Sequence, residues 1–159
     1  MSAAISHPEP RRAAEAPADS AARGGPVLFY DGVCGFCDRA VQFILRHDRR
    51  ERFRFAALQG EFAGRVLSRY GHDPRDLDTM YVLLDAGTPR ERLLARSDGI
   101  VAVLDELGGA WKLLALIRFL PRALRDRAYA VLVRNRYRWF GRYDQCPLPP
   151  ARVRDRFID

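Results

Sequence analysis

Two cysteines separated by two residues are the part of this sequence best suited to covalent chemistry. Cys34 and Cys37 follow a short apolar run that ends at Tyr30 and stand where a helical pattern begins. At that position both sulfurs lie on one helix face, and the free N–H groups and partial positive charge of the helix N-terminus stabilise a thiolate. We therefore predict a redox-active pair. Cys34 is the expected nucleophile, with a lowered pKa and the greater exposure, and Cys37 resolves the mixed disulfide.

A Cys-x-x-Cys pair is also half of a zinc site, which needs two further ligands. Cys146 stands alone in the sequence, and His47 and His72 have no partner at ligand spacing. A zinc-stabilised interaction module built from Cys34, Cys37, Cys146 and one histidine is the alternative. The strand–turn–helix context favours redox chemistry, for which no metal or cofactor is predicted.

Asp31 lies three residues before Cys34. Its carboxylate could take the proton from Cys37 during resolution, as a general base. It could equally accept hydrogen bonds from the amides of residues 32–34, as an Asx-type cap. Both roles stay open from the sequence.

Cys146 and Ser97 are secondary candidates. Cys146 could pair with a motif cysteine if the end of the chain folds back over it. The competing prediction is a thiol that is merely packed or solvent-facing. Ser97 precedes a helical pattern, so we expect an N-cap rather than a catalytic hydroxyl.

The elements around the motif alternate between strands and helices, which indicates an α/β fold. The predicted order is β-α-β-α-β-β-α, a mixed sheet with helices on both faces, and it matches the minimal thioredoxin fold. Strands are predicted at 26–30, 53–58, 80–84 and 91–96, and helices at 35–47, 62–70 and 97–107. Two extra helices, at 111–120 and 122–136, follow this unit.

The 159 residues are 48% hydrophobic, which is enough for one domain, predicted at 26–159 with a helical extension at about 111–145. Residues 1–25 are rich in Ala and Pro and contain no aromatic residue, so a disordered tail is expected. Charged residues, both acidic and basic, interrupt every candidate signal segment, and no apolar run approaches the roughly 20 residues of a membrane span. A cytoplasmic location is the expectation.

The net charge is +7, and the excess is concentrated between Arg118 and Arg142, where eight arginines face one acid, Asp126. A solvated helix face is the favoured interpretation. Contact with an anionic surface is the alternative, in an Arg-rich interaction module without redox turnover. Nucleic acid is not a predicted partner.

The segment from Tyr30 through Asp31, Cys34 and Cys37 resembles the Asp-x-x-Cys-x-x-Cys signature of the DCC family of predicted thiol–disulfide oxidoreductases. The resemblance covers about residues 26–158, and further matching stretches lie at 96–98, 120–122, 134–141 and 144–146. It implies a small thioredoxin-like protein that exchanges disulfides with protein or low-molecular-weight thiols. Thioredoxins place a cis-proline before the strand that faces the active site. The matching stretch here, 78–80, contains no proline, and this departure predicts an atypical thioredoxin relative that does not bind substrate in the usual thioredoxin manner.

Overall fold

The computed structural model describes residues 25–158. The predicted disordered tail, apart from Gly25, lies outside the described residues. In chain order the elements are β1 (Val27–Tyr30), α1 (Gly35–His47), β2 (Arg54–Ala57), α2 (Glu61–Arg69), β3 (Tyr81–Leu84), β4 (Arg92–Ala95), α3 (Arg96–Leu107), α4 (Trp111–Leu114), α5 (Arg122–Phe140) and β5 (Phe157–Ile158). Short 3₁₀ helices occupy Ala115–Phe119 and Ala151–Arg156.

The strands form one mixed sheet in the order β4-β3-β1-β2-β5. β1 runs parallel to β2 and antiparallel to β3, β3 and β4 are antiparallel neighbours, and β5 runs parallel to β2. The predicted β-α-β-α-β-β-α order and the mixed sheet are confirmed. The prediction missed β5 because two residues are too few to show an alternating pattern.

Helices cover both faces of the sheet, as predicted. On one face α1 and α3 pack against the sheet through side chains that include Val41, Ile44 and Val103. On the other face α2 contributes Phe62 and Val66 to a second apolar cluster. Because β1 is central, its carboxyl end, where the cysteine motif begins, is enclosed by the rest of the domain.

The C-terminal helices differ in length from the prediction. The expected helix at 111–120 divides into α4 and a 3₁₀ helix, the tighter geometry that often ends a helical run before a proline such as Pro121. The expected helix at 122–136 continues to Phe140 and ends at Gly141, whose φ of +79° is a conformation that glycine adopts without strain. Within residues 25–158 no helix has the length and apolar character of a membrane span.

Candidate active site

Cys34 is the N-cap residue of α1. Its backbone is extended, and its Sγ accepts a hydrogen bond from the Cys37 backbone N–H at 3.3 Å. The Cys37 side chain, acting as a hydrogen-bond donor, is the largest cause lowering the pKa of Cys34 to about 6; the Cys37 amide and the positive charge on Arg136 add to it, and burial opposes it. The predicted placement at a helix start is confirmed. The largest cause of the lowered pKa of Cys34 is the Cys37 thiol, whereas the free N–H groups of the helix start, which the sequence indicated, contribute less.

Cys37 differs from its partner in protonation. Its hydrogen bond to the Cys34 sulfur, burial and the negative charge on Cys34 all raise the pKa of the Cys37 thiol. One proton is therefore held on Cys37 while Cys34 is ionised. The two sulfurs behave as a single pair that shares a proton unequally.

The expected exposure of the two cysteines was wrong. Cys34 is 0% exposed, whereas Cys37 is half-buried. The cover over Cys34 is the last residue of α5 and the segment after it, residues 140–143, which we call the strap. Gly35 N–H donates to Gly141 O at 3.1 Å, Tyr143 N–H donates to Val33 O at 2.8 Å, and Cys34 forms an isolated antiparallel bridge with a strap residue.

The strap approaches the motif so closely that residue 35 has to be glycine. A Cβ atom on Gly35 would lie 2.2 Å from the carbonyl oxygen of Phe140, which no side chain tolerates. Gly35, which has no side chain, therefore allows the strap to pack directly against the start of α1.

Asp31 is an anchor at the end of β1 and is 2% exposed. Its Oδ1 accepts hydrogen bonds from the Val33 N–H at 3.1 Å and from Gln59 Nε2 at 2.8 Å. Its Oδ2 accepts from the Tyr137 hydroxyl and from Arg136 Nη2 at 3.4 Å. The expected Asx-type cap is present on Val33. With about four acceptor positions on a carboxylate, all of them engaged, the arrangement favours the structural role over a general base.

Arg136 is the site residue that sequence reasoning missed, because it was grouped with the solvated arginine face. It is 3% exposed, and its Nη2 atom donates to Asp31, to Asp78 Oδ1 at 3.2 Å, to Leu77 O at 3.0 Å and to the Tyr137 hydroxyl at 2.9 Å. Its Nε atom is buried and has no hydrogen-bond partner within residues 25–158. The one signal in the sequence was Asp31 itself, since a carboxylate at the end of a buried strand requires a countercharge.

Cys146 does return to the motif. The position a Cβ would take on Gly32 is 2.7 Å from Cys146 Sγ, so the sulfur lies against the loop that leads to Cys34. Cys146 is exposed, and all three cysteines are free thiols. The fold-back on which the predicted pairing depended is therefore present, and the pairing itself stays a prediction.

Ser97 is not the N-cap. The helix begins one residue earlier, at Arg96, and its N-cap Ala95 offers no side-chain hydrogen bond. The reason is the corner at Arg96, where a φ of +54° turns β4 directly into α3. Ser97 Oγ, 3% exposed, instead donates to Asp126 Oδ1 at 2.5 Å and joins α3 to α5.

The arginines between 118 and 142 are partly neutralised by acids from elsewhere in the fold. Arg118 pairs with Asp105 at 2.5 Å, and Arg125 pairs with Asp98 at 3.0 Å. Arg122 also pairs with Asp98, at 3.1 Å. Counting only partners within the described part of the chain, these three and Arg136 make four of the eight arginines that are in ion pairs. This pairing lowers the positive potential that an anionic partner would meet.

The zinc alternative is not favoured. Among residues 25–158, no group of three or more His, Cys, Asp or Glu side chains is arranged to hold a metal ion. In that part of the chain, no histidine completes a ligand set with Cys34, Cys37 and Cys146, as the zinc alternative requires.

Comparison with known proteins agrees with the cysteine geometry. Residues 28–142 match the family described as DCC1-like thiol-disulfide oxidoreductase. A Bacillus subtilis protein, YuxK, is 34% identical over 83% of this chain and 93% of its own length. A chloroplastic DCC family protein of Arabidopsis thaliana is 34% identical over 77% of this chain and 69% of its own. No solved structure matches the chain. The family match includes Asp31, both motif cysteines and Arg136, and ends before Cys146.

Proposed function

Because the chain belongs to the DCC1-like thiol-disulfide oxidoreductase family, we propose that it cycles between a Cys34–Cys37 dithiol and the corresponding disulfide. The observation that carries the proposal is the position of Cys34 Sγ as the N-cap of α1, with a pKa of about 6. The scaffold is proposed to be thioredoxin-like, since its central strand precedes the motif and is flanked by a parallel strand and an antiparallel hairpin.

The exchange proceeds in two balanced steps. The Cys34 thiolate attacks one sulfur of a substrate disulfide, the substrate S–S bond breaks, and the departing sulfur takes up a proton. Cys37 then loses its proton to solvent and attacks Cys34 Sγ, which releases the second substrate sulfur. The substrate gains two electrons and two protons, and the Cys34–Cys37 bond forms. Asp31 is a positioning residue in this scheme, because it fixes the loop before Cys34.

The proposed substrates are protein or low-molecular-weight thiols and disulfides in a reducing compartment such as the cytoplasm. A protein substrate reaches Cys34 only when the strap moves away from it, because those residues cover the sulfur.

Thiol labelling across a redox titration tests the cycle. The expected result is one two-electron transition that disappears in Cys34→Ser and in Cys37→Ser and persists in the matched control Cys146→Ser. The midpoint should lie above the value of about −270 mV found for thioredoxin, because stabilising the Cys34 thiolate favours the reduced form. A transition that survives loss of either motif cysteine would refute the proposed cycle.

A further inference from the structure

An apolar cavity of about 190 Å³ adjoins the resolving cysteine. It lies between α1, α3 and α5, and most of its lining is hydrocarbon. Among the lining residues are Ala40, Phe43, Ile100, Leu104, Leu132 and Val133. Cys37 lines the cavity, whereas Cys34 does not. For comparison, an enclosed aliphatic cavity of about 150 Å³ binds benzene, so this volume suits a small ring or a chain of several carbons.

One of the lining residues also holds an unused hydrogen-bond donor. Arg136 lines the cavity, and its Nε–H group is buried without a partner among the residues that the structure describes. A buried donor left unpaired destabilises the protein, and a ligand oxygen in hydrogen-bond range would remove that cost. The other polar groups are already engaged: the Tyr129 hydroxyl accepts from Met80 N–H at 2.8 Å, and Asp31 has its four partners.

The charge around Arg136 indicates what kind of oxygen fits. Its guanidinium already pairs with two carboxylates, those of Asp31 and Asp78. A third carboxylate, beside the Cys34 thiolate, would meet net negative charge. A neutral carbonyl accepts the Nε–H hydrogen bond without that repulsion.

We propose that this cavity binds the hydrocarbon part of a small apolar dithiol that carries a neutral carbonyl oxygen, with the oxygen at Arg136 Nε and one sulfur at Cys37. The inference rests on the proposed Cys34–Cys37 couple for its chemistry, but not for the binding itself. The cavity would serve small ligands and not protein substrates, because a ligand in the cavity reaches Cys37 without displacing the strap from Cys34.

The chemical step is the reduction of the protein disulfide by an apolar dithiol. A substrate thiolate attacks Cys37 Sγ, the Cys34–Cys37 bond breaks, and Cys34 leaves as the thiolate that the helix start stabilises. The second substrate thiol loses its proton to solvent and attacks its own sulfur in the mixed disulfide, which closes the substrate disulfide and releases Cys37 to take up a proton. The substrate loses two electrons, and the protein gains them. A leaving thiol of low pKa departs faster, so attack at Cys37 is the favoured direction.

Binding is tested first, with three eight-carbon probes on the reduced full-length protein. Octanamide should bind in titration calorimetry, shift the methyl resonances of Ile100 and Leu132, and bind about tenfold more tightly than octanoate or octylamine. Equal or tighter binding of octanoate would overturn the neutral carbonyl. No binding of any probe would overturn the cavity site, and neither result would affect the redox titration.

Single-turnover reduction of the oxidised protein tests the chemistry. Dihydrolipoamide supplies an apolar dithiol with an amide carbonyl, and dithiothreitol supplies a polar dithiol. The ratio of their rates should fall about tenfold in Val133→Phe, which fills the cavity, and should not change in Leu124→Phe, an exposed site on the same helix. Octanamide should inhibit dihydrolipoamide and not dithiothreitol in the wild-type protein, a readout that needs no variant. Equal inhibition of both dithiols, or of neither, would overturn the proposal.

Discussion

Arg136 Nη2 lies 3.4 Å from Asp31 Oδ2, although 105 residues separate the two in the sequence. Both side chains are almost wholly buried, so the pair joins the end of β1 to α5 inside the protein. The Asp31 carboxylate positions the loop that leads to Cys34, and the positive charge on Arg136 helps lower the pKa of Cys34. The C-terminal helix is therefore part of the cysteine site.

Removing the arginine should destabilise the protein. Arg136→Met leaves the Asp31 carboxylate buried without its countercharge, which costs about 3–5 kcal/mol in comparable pairs. Urea denaturation of the reduced protein measures the loss. Arg134→Met, at an exposed position of the same helix, is the matched control and should change stability by no more than about 0.5 kcal/mol. A similar small change in both variants would show that the pair is dispensable.

The ionisation of Cys34 should be visible in the ultraviolet absorbance of the reduced protein. The thiolate signal is expected to rise with an apparent pKa of about 6. In Cys37→Ala the largest cause of the lowered pKa is gone, and the midpoint should move toward the ordinary value of about 8.5. Cys146→Ser is the control and should keep the midpoint of the wild type. An unmoved midpoint in Cys37→Ala would contradict the shared-proton arrangement.

The same ionisation couples stability to pH. A thiol whose folded pKa is below its unfolded value contributes stability that is present above the unfolded pKa and is lost as the pH falls through the folded one. For Cys34 the window lies between about 8.5 and about 6. The stability difference between the reduced wild type and Cys34→Ser should therefore shrink as the pH falls across that range, which denaturant titrations at several pH values measure.

Displacing the strap should expose Cys34. In Gly35→Ala the new Cβ would lie 2.2 Å from Phe140 O, so the strap has to move. Alkylation of Cys34 should then be at least several-fold faster, as followed by mass spectrometry. Gly64→Ala is the control, because a Cβ there meets no atom of residues 25–158 within 4 Å. An unchanged alkylation rate in Gly35→Ala, with the fold intact, would mean that the strap is not what limits access.

The Ser97 hydroxyl should matter for stability and not for redox chemistry. Ser97→Ala removes the hydrogen bond to Asp126 and leaves a charged acceptor with one donor fewer, a loss of about 1.5–3 kcal/mol. Ser68→Ala, on the exposed side of α2, should cost much less. The reduction potential of the Cys34–Cys37 couple should be the same in both variants and the wild type. A shifted potential in Ser97→Ala would indicate a role at the active site.

The sequence predicts the local features of this protein well and the distant ones poorly. The start of α1 at the motif follows from residues that are neighbours in the chain, and it was confirmed. The burial of Cys34 depends on the strap, more than 100 residues away, and no local pattern contains that information. Serine is a residue type common at N-caps, but α3 begins before Ser97, at Arg96, because β4 turns directly into the helix there.

The high arginine content of this region led to a second wrong prediction, the placement of Arg136 on the solvated face. Arg136 belongs by composition to a basic surface, yet helical phase places it inside, against Asp31. The informative residue was Asp31 rather than Arg136, because a carboxylate at the end of a buried strand requires a cation elsewhere in the fold.

The N-cap hydrogen bond to Cys34 Sγ also affects the stability of α1 itself. In the dithiol form a negatively charged atom accepts the Cys37 N–H and closes the first turn of α1. Once that atom is bonded to the Cys37 sulfur it is neutral, and the helix has lost its anionic end group. In the proposed cycle, oxidation of the pair is therefore expected to loosen the first turn of α1 and reduction to restore it, so that amide exchange there should follow the oxidation state of the protein.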